Sequence, residues 1–385
     1  MKRDKRGIGL DCKHFGKCGS CSLYTTEYAE QLVNKKEMVS ALISPFYSGE
    51  LDVFESPEHH YRARAEFRIW HNGDRCSYAM GNMEKNGVEL IEECPKVIKA
   101  IEKRMWRLLE IVNATESLGR KLFSIEFLAT TTDECLITML YHRKLESDWE
   151  EEARRVQESL ECQIIGRSKG QKIVLSEEFV TEKLHCDGRE IEFRQYESGF
   201  TQPNPAVNIK MIEWAIAQVK NAGRGDFLES YCGLGNFTIP ISHYFDRVLA
   251  TEVSKRSIAA AGENCRLNGI SNISFVRLSS EEMTEALQKI RPFRRLKDID
   301  IDKYNFTTVL VDPPRAGLDE ATIGLISTIE RIIYISCDPK SLARDMQSLI
   351  QTHTVENGAL FDQFPYTHHI ESALALKKRV PLNLH

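Results

Sequence analysis

The hydrophobic pattern of the chain changes character near Glu197. Before it, short alternating runs mix with helical periods; after it, apolar strands and helices follow one another in turn. A first helix is expected from a Thr26 cap, with Tyr28, Leu32, Val39, Leu42 and Ile43 on one side and Pro45 to end it. Next, Tyr61, Ala63, Ala65, Phe67 and Ile69 alternate with Arg62, Arg64, Glu66 and Arg68, which predicts a strand with one apolar and one charged face. Further strands are predicted over 76–80, 122–131, 135–141, 163–166, 172–175 and 190–196. Helices are predicted over 95–114 and from a Ser147/Glu150 capping box to Leu160.

Past Glu197, Asn204 caps a helix with Pro205 in its first turn. Residues 226–231 read as a strand, Cys232-Gly-Leu-Gly-Asn236 as a tight turn into a helix, and 247–251 as the next strand, which ends at Glu252. A doubly wound nucleotide-binding fold puts an acid at that point to bind ribose hydroxyls. The turn lacks the third glycine of the dinucleotide fingerprint, which suits an adenosine ligand without a pyrophosphate, such as S-adenosylmethionine. Strand 307–311 ends in Asp312-Pro-Pro-Arg315, a rigid loop over the same pocket. The apolar run from Ile332 to Ile335 reads as a buried parallel strand. Cys337 therefore stands at a carboxyl end, with Pro339 opening the next helix. A thiol there is placed to ionise and act as a nucleophile. A buried structural cysteine is the alternative, and three loaded strand ends in one sheet weigh against it. Glu371, just ahead of Ala373-Leu-Ala-Leu376, opens a strand beside an aromatic-rich segment. The fold class is therefore α/β, a Rossmann-like doubly wound domain over 198–385. A smaller α+β domain over 25–197 and a cysteine-rich segment over 1–24 precede it.

Composition narrows the function. At 385 residues, 42% hydrophobic and 28% charged, the chain is long enough for two cores. No uncharged apolar stretch nears the roughly 18 residues of a membrane span, and Met1-Lys-Arg-Asp-Lys-Arg6 lacks the apolar core of a signal peptide. The expectation is a cytoplasmic protein without membrane contact or an obligate protein partner. A net charge of −5 argues against generic coating of polyanions, so nucleic acid would need local basic surface. Arg62, Arg64 and Arg68 offer one, since same-face side chains step about 7 Å per two residues, close to phosphate spacing; a merely solvated face is the plainer reading. Eleven cysteines, unevenly spaced, favour thiol chemistry or metal ligation over a disulfide framework. Cys12, Cys18 and Cys21 form a compact soft-metal half-site that lacks a fourth ligand. Cys94 is the first candidate, because a Cys-Pro step recurs at iron–sulfur clusters, and Cys76 is the second. Scattered reduced thiols and zinc stay open, although the spacing is unlike the common zinc patterns.

Several motifs carry a family resemblance. Phe200-Thr-Gln-Pro-Asn204, Glu229-Ser-Tyr-Cys-Gly-Leu-Gly-Asn236, Val311-Asp-Pro-Pro-Arg-Ala-Gly-Leu318 and Ser336-Cys-Asp-Pro339 resemble those of the S-adenosylmethionine-dependent RNA uracil-5 methyltransferases, and the likeness runs from about Cys12 to Lys378. Arg62-Ala-Arg-Ala-Glu-Phe-Arg-Ile-Trp-His71 and Phe361-Asp-Gln-Phe-Pro-Tyr-Thr-His-His369 resemble, more narrowly, the branch that makes ribothymidine in the T-loop of tRNA. The resemblance implies S-adenosylmethionine as cofactor, held by Gln202, Tyr231, Asn236, Glu252 and Asp312. It implies Cys337 as nucleophile, Glu371 as base, and the T-arm of tRNA as partner, with uridine 54 as target. Phe200 is expected to stack on exposed bases and the arginine strand to meet phosphates. Cys12, Cys18, Cys21 and Cys94 resemble the [4Fe-4S] ligands of the rRNA-directed branch. Methylation of 23S rRNA and a methylation-independent RNA-folding role are the alternatives; an amino-group methyltransferase would show an aromatic residue where this chain has Arg315.

Overall fold

A computed structural model describes residues 10–220 and 225–380; the charged start, 1–6, lies outside the described residues. The chain opens with α1 (Tyr28–Ile43), β1 (Leu51–Phe54), β2 (Arg64–Asn72), β3 (Arg75–Gly81), β4 (Val88–Ile91), α2 (Lys99–Ala114) and α3 (Glu116–Gly119). It continues through β5 (Leu122–Ala129), β6 (Cys135–Tyr141), α4 (Ser147–Leu160), β7 (Gln163–Ser168), β8 (Gln171–Val174), β9 (Phe179–Cys186), β10 (Arg189–Tyr196) and α5 (Pro205–Val219). Then come β11 (Asp226–Ser230), α6 (Thr238–Ile241), β12 (Arg247–Thr251), α7 (Lys255–Leu267), β13 (Ile273–Val276), α8 (Ser280–Leu287) and β14 (Phe306–Val311). The last elements are α9 (Glu320–Ile326), β15 (Arg331–Ser336), α10 (Pro339–Leu349), β16 (His353–Phe361) and β17 (Glu371–Lys378).

Two sheets organise these elements. The first has seven strands in the order β4-β3-β2-β5-β6-β7-β8, antiparallel except at β6–β7. Its core lies under α2 and α4, where Phe67, Tyr78, Phe127 and Trp149 are buried. Ala65, Phe67 and Ile69 of β2 point into that core, whereas Glu66, Arg68 and Trp70 face out. Ladder pairing starts only at Arg64, because Tyr61 and Arg62 donate their N–H groups to the Lys96 carbonyl and Ala63 donates to that of Pro203. Ser147 is the first residue of α4 rather than its cap, and Glu146 before it makes no capping hydrogen bond.

The second sheet has eight strands in the order β1-β16-β17-β15-β14-β11-β12-β13. Strands β11 to β15 run parallel, as their continuous apolar runs require, and β17 runs antiparallel to both neighbours. This is the doubly wound, Rossmann-like architecture. The packing departs from the partition drawn at residue 197. β1 pairs in parallel with β16 and α1 packs on α10, so 28–54 belongs with the second sheet. The hairpin β9–β10 likewise buries Leu184, Ile191 and Phe193 with Val207 and Met211 of α5. Local periodicity identifies a strand but not its partner, and β1 finds its partner some 300 residues downstream.

Candidate active site

One edge of the eight-stranded sheet collects the chemistry. β11 and β14 are neighbours at the point where strand order reverses, which is where such sheets open a crevice. Tyr231 follows β11, Asp312 follows β14 and Cys337 follows β15, while the antiparallel β17 brings its first residue, Glu371, to the same edge. The β15–β17 ladder closes with Ser336 paired to Ser372, so Cys337, the next residue after β15, and Glu371, the residue before Ser372, lie at the same end of neighbouring strands.

Their environment is acidic and poorly solvated. Glu371 is buried; burial first, then the charge of Asp312, pushes its carboxyl well above the usual range, with Arg315 opposing. Desolvation pushes Asp312 up to about 7. Burial, then Glu371 and Asp312, push the Cys337 thiol up to about 11 against Arg315. The helix N-terminus at Pro339 favours the thiolate, and burial, then the two carboxyls, outweigh it. Arg315 Nη2 donates to His369 Nδ1 at 2.9 Å, so that ring nitrogen is an acceptor and the imidazole neutral; burial and then Arg315 also hold the His369 pKa down. A cavity of about 280 Å³ opens between Arg315, Cys337, Lys340, His368 and His369, with Met38 and Leu42 of α1 behind it.

These shifts predict the reactivity of the free protein. Alkylation of Cys337 by iodoacetamide should rise about tenfold per pH unit up to the thiol pKa. Arg315→Met removes the cation that opposes the rise in thiol pKa, so the rate at fixed pH should fall several-fold. A pH-independent rate, or an unchanged one in R315M, would show the thiol to be ionised by other means.

A second cleft adjoins the first. Phe200, Thr201, Gln202, Tyr231, Gly233, Asn236 and Asp312 line it. Tyr231 takes φ +66°, unusual for a residue with a side chain, and starts a tight turn with Gly233 at +55° and Gly235 at +92°. Its hydroxyl lies 2.6 Å from Ser280 Oγ. Glu252 Oε2 accepts from the Gly233 N–H at 3.3 Å and Oε1 from Ser254 N–H at 2.8 Å, which ties the acid to the glycine turn. Asn236 and Asn208 of α5 exchange side-chain hydrogen bonds at 2.8 and 2.9 Å. The residue set fits a cationic nucleoside cofactor: nothing stands within 4 Å of where a Gly233 Cβ would be, and Thr201 Oγ1 is buried without a partner. Glu229 was quoted within a motif without a role, although an acid inside an apolar strand is itself a signal. Burial pushes its carboxyl up to about 8.

Cys12, Cys18, Cys21 and Cys94 line one cavity of about 410 Å³, walled on its far side by Arg62, Phe364, His368 and His369. Cys76 lies elsewhere, in the seven-stranded core with Sγ 3.6 Å from His71 Nδ1. The ring is held by local structure: Cys18 N–H donates to the His14 carbonyl, Gly19 N–H to that of Gly81, and buried Lys96 reaches the Ser20 carbonyl at 3.3 Å. Among the described residues no three ligating side chains converge closely enough for a single metal ion. The four cysteines share a cavity lining without forming such a group.

The arginine strand divides. Arg68 is exposed. Arg62 donates from Nε to the Arg64 carbonyl at 2.8 Å and lies 5.9 Å from the Phe364 ring centre. Arg64 is committed to the protein, at 2.6 Å to both Glu126 Oε1 and the Glu197 carbonyl and also to the Gly199 carbonyl. Phe200 is 70% exposed.

Comparison with known proteins agrees with this geometry. Residues 27–379 match the model of the family tRNA (Uracil-5-)-methyltransferase. A protein of Sulfurovum sp. (strain NBC37-1), called tRNA/tmRNA (uracil-C(5))-methyltransferase, is 66% identical over 96% of this chain and 100% of its own length. One of the same name from Neisseria meningitidis serogroup A / serotype 4A (strain DSM 15465 / Z2491) is 47% identical over 92% of this chain and 99% of its own. Among solved structures, Pyrococcus abyssi tRNA (uracil-54, C5)-methyltransferase in complex with S-adenosyl-L-homocysteine shares the fold. It has a TM-score of 0.72 over 93% of this chain and 85% of that one, at 20% identity. By the length and closeness of these matches, the chain belongs to the tRNA (uracil-5-)-methyltransferase family.

Proposed function

We propose that this chain methylates C5 of uridine 54 in the T-loop of tRNA, using S-adenosylmethionine and a covalent bond between Cys337 and pyrimidine C6. The observation that carries the reading is the ladder register that sets a thiol against a buried carboxyl at the crevice of a doubly wound sheet. Relatives named for tRNA and tmRNA, and a structural neighbour named for uracil-54, support the target.

Uracil C5 is a poor nucleophile. Addition of Cys337 Sγ to C6 forms the S–C6 bond and pushes the C5=C6 pair through C4 onto O4, which gives an enolate able to attack at carbon. S-adenosylmethionine, when bound, supplies the electrophile, a methyl group on a positively charged sulfonium. C5 then carries both methyl and hydrogen; Glu371 takes that proton, the C5=C6 bond reforms and the thiolate leaves. Gln202, Tyr231, Asn236, Glu252 and Asp312 would hold the cofactor, with Glu252 on its ribose hydroxyls. A cation in their cleft lowers the pKa of Asp312, Cys337 and Glu371 together, which converts a protonated resting pocket into a working one. Extruding the target base costs a few kcal/mol, least for an unpaired loop nucleotide. Arg62, Arg68 and Phe200 would meet the RNA, while Arg64 buttresses the strand that carries Arg68. Cys12, Cys18, Cys21 and Cys94 would hold a [4Fe-4S] cluster as a brace between the N-terminal segment and the seven-stranded sheet. That cysteine set, shared with the rRNA-directed branch, keeps 23S rRNA as the second reading. Eleven unpaired thiols suit a reducing compartment, the cytoplasm.

Digestion of RNA from a deletion strain, with mass-spectrometric mapping of 5-methyluridine, tests the target. Its loss from tRNA position 54 is the expected result. Loss from 23S rRNA alone would move the reading to the alternative, and loss from neither would reject both.

A further inference from the structure

The connection between β16 and β17, residues 362–370, delivers Glu371 to the site, and it is gripped by a helix from the other end of the chain. Lys35 and Gln31 lie one turn apart on α1, facing inward. Lys35 Nζ donates to Asp362 Oδ1 at 2.6 Å and to the Phe364 carbonyl at 3.3 Å, with the two side chains 4% and 0% exposed. Gln31 Oε1 accepts from the Tyr366 N–H at 3.0 Å, while its Nε2 donates to the carbonyls of Thr26 and Leu23 at 2.8 and 3.1 Å. Tyr366 sits at φ +62°, so the connection bends sharply where Gln31 holds it. Further along the same helix, Met38 and Leu42 line the cavity that contains Cys337. Asp362 directly follows Phe361, the β16 partner of Glu371. An anchor on Asp362 thus acts one residue from the ladder pair that places the base.

We propose that Lys35 is a positioning residue for the catalytic base: by fixing Asp362 and Phe364 it sets where Glu371 enters β17 beside Cys337. The idea rests on Glu371 as the base that frees the product. Loss of the anchor should therefore leave attack by Cys337 intact and slow only proton removal.

The test measures formation and decay of the covalent protein–tRNA species on denaturing gels, with S-adenosylmethionine present, for wild type, Lys35→Met and Lys35→Met/Asp362→Asn. The double variant removes both charges and so serves if K35M alone does not fold. Expected are a near wild-type rate of adduct formation, decay slowed on the order of ten- to a hundredfold, and an unchanged KM for tRNA. Formation and decay slowing in parallel would mean a general loss of folded enzyme and would overturn the proposal, as would unchanged decay. Absence of any adduct in the wild type would instead strike the covalent mechanism, and the role of Lys35 with it.

Discussion

Cys337→Ala should lower turnover by about 10⁴ or more and abolish any covalent RNA species, whereas Glu371→Gln should form that species and release it slowly. The asymmetry follows from the order of the two roles. The thiol acts first, and without it C5 never becomes nucleophilic, so neither product nor intermediate appears. The carboxyl acts last, after the methyl is in place; its amide replacement is nearly isosteric but cannot accept the proton. Removing a general base typically slows its step about 10²–10⁴-fold, so E371Q should accumulate adduct to near stoichiometry. Steady-state methylation by both variants and covalent trapping with tRNA are the two measurements. Comparable, near-normal turnover in both would reject the assignment, and equal absence of adduct would remove Glu371 from the last step.

The burial of this pair shapes how the variants behave otherwise. Burial first, then neighbouring carboxyls, push the Glu371 carboxyl well above the usual range and the Cys337 thiol up to about 11. E371Q therefore removes a carboxyl whose charged form the site disfavours and should fold as well as wild type. A carboxyl whose folded pKa is raised favours folding below its unfolded value and loses that contribution as pH rises through the folded value. Any stability gain of E371Q should accordingly grow toward alkaline pH and vanish in acid.

Much of the site could be read from the sequence because its residues announce themselves locally. A polar or reactive residue just past an apolar run, with proline or glycine close behind, marks a loaded strand end, and Tyr231, Asp312 and Cys337 fit that pattern. What stayed hidden depends on partners far away in sequence. That Cys337 and Glu371 come to the same end of neighbouring strands follows from the β15–β17 register. The anchoring of residues 362–370 depends on Lys35, whose position on the apolar face of α1 is visible but whose partner is not. The upward push on the Cys337 thiol is hidden for the same reason: the helix N-terminus is local, while the burial of the thiol and the carboxyls of Glu371 and Asp312 come from the folded sheet. Arg64 reads as one of three equivalent arginines, and only the folded chain shows it spent on Glu126, Glu197 and Gly199.

Purification without oxygen should yield a coloured protein with about four irons per chain, and Cys94→Ser should be colourless and largely iron-free. The sequence supplies three cysteines within one short segment, and the backbone pairing of residues 61–62 with Lys96 carries Cys94 to the fourth side of the cavity. Burial pushes Cys12 up to about 12 and raises Cys21 and Cys94 as well, so binding a metal through their thiolates must expel protons. Iron retention should consequently weaken as pH falls, with chelators stripping the protein faster at pH 6 than at pH 8. Because the ring joins residues 12–21 to the seven-stranded sheet, the iron-free variant should be cleaved first by proteases within that segment, with the eight-stranded sheet intact. Zinc in place of iron would make the wild type colourless yet metal-loaded, and would replace the cluster in this account. An active wild-type protein with no bound metal, and with the same protease pattern as C94S, would leave the four cysteines as ordinary thiols.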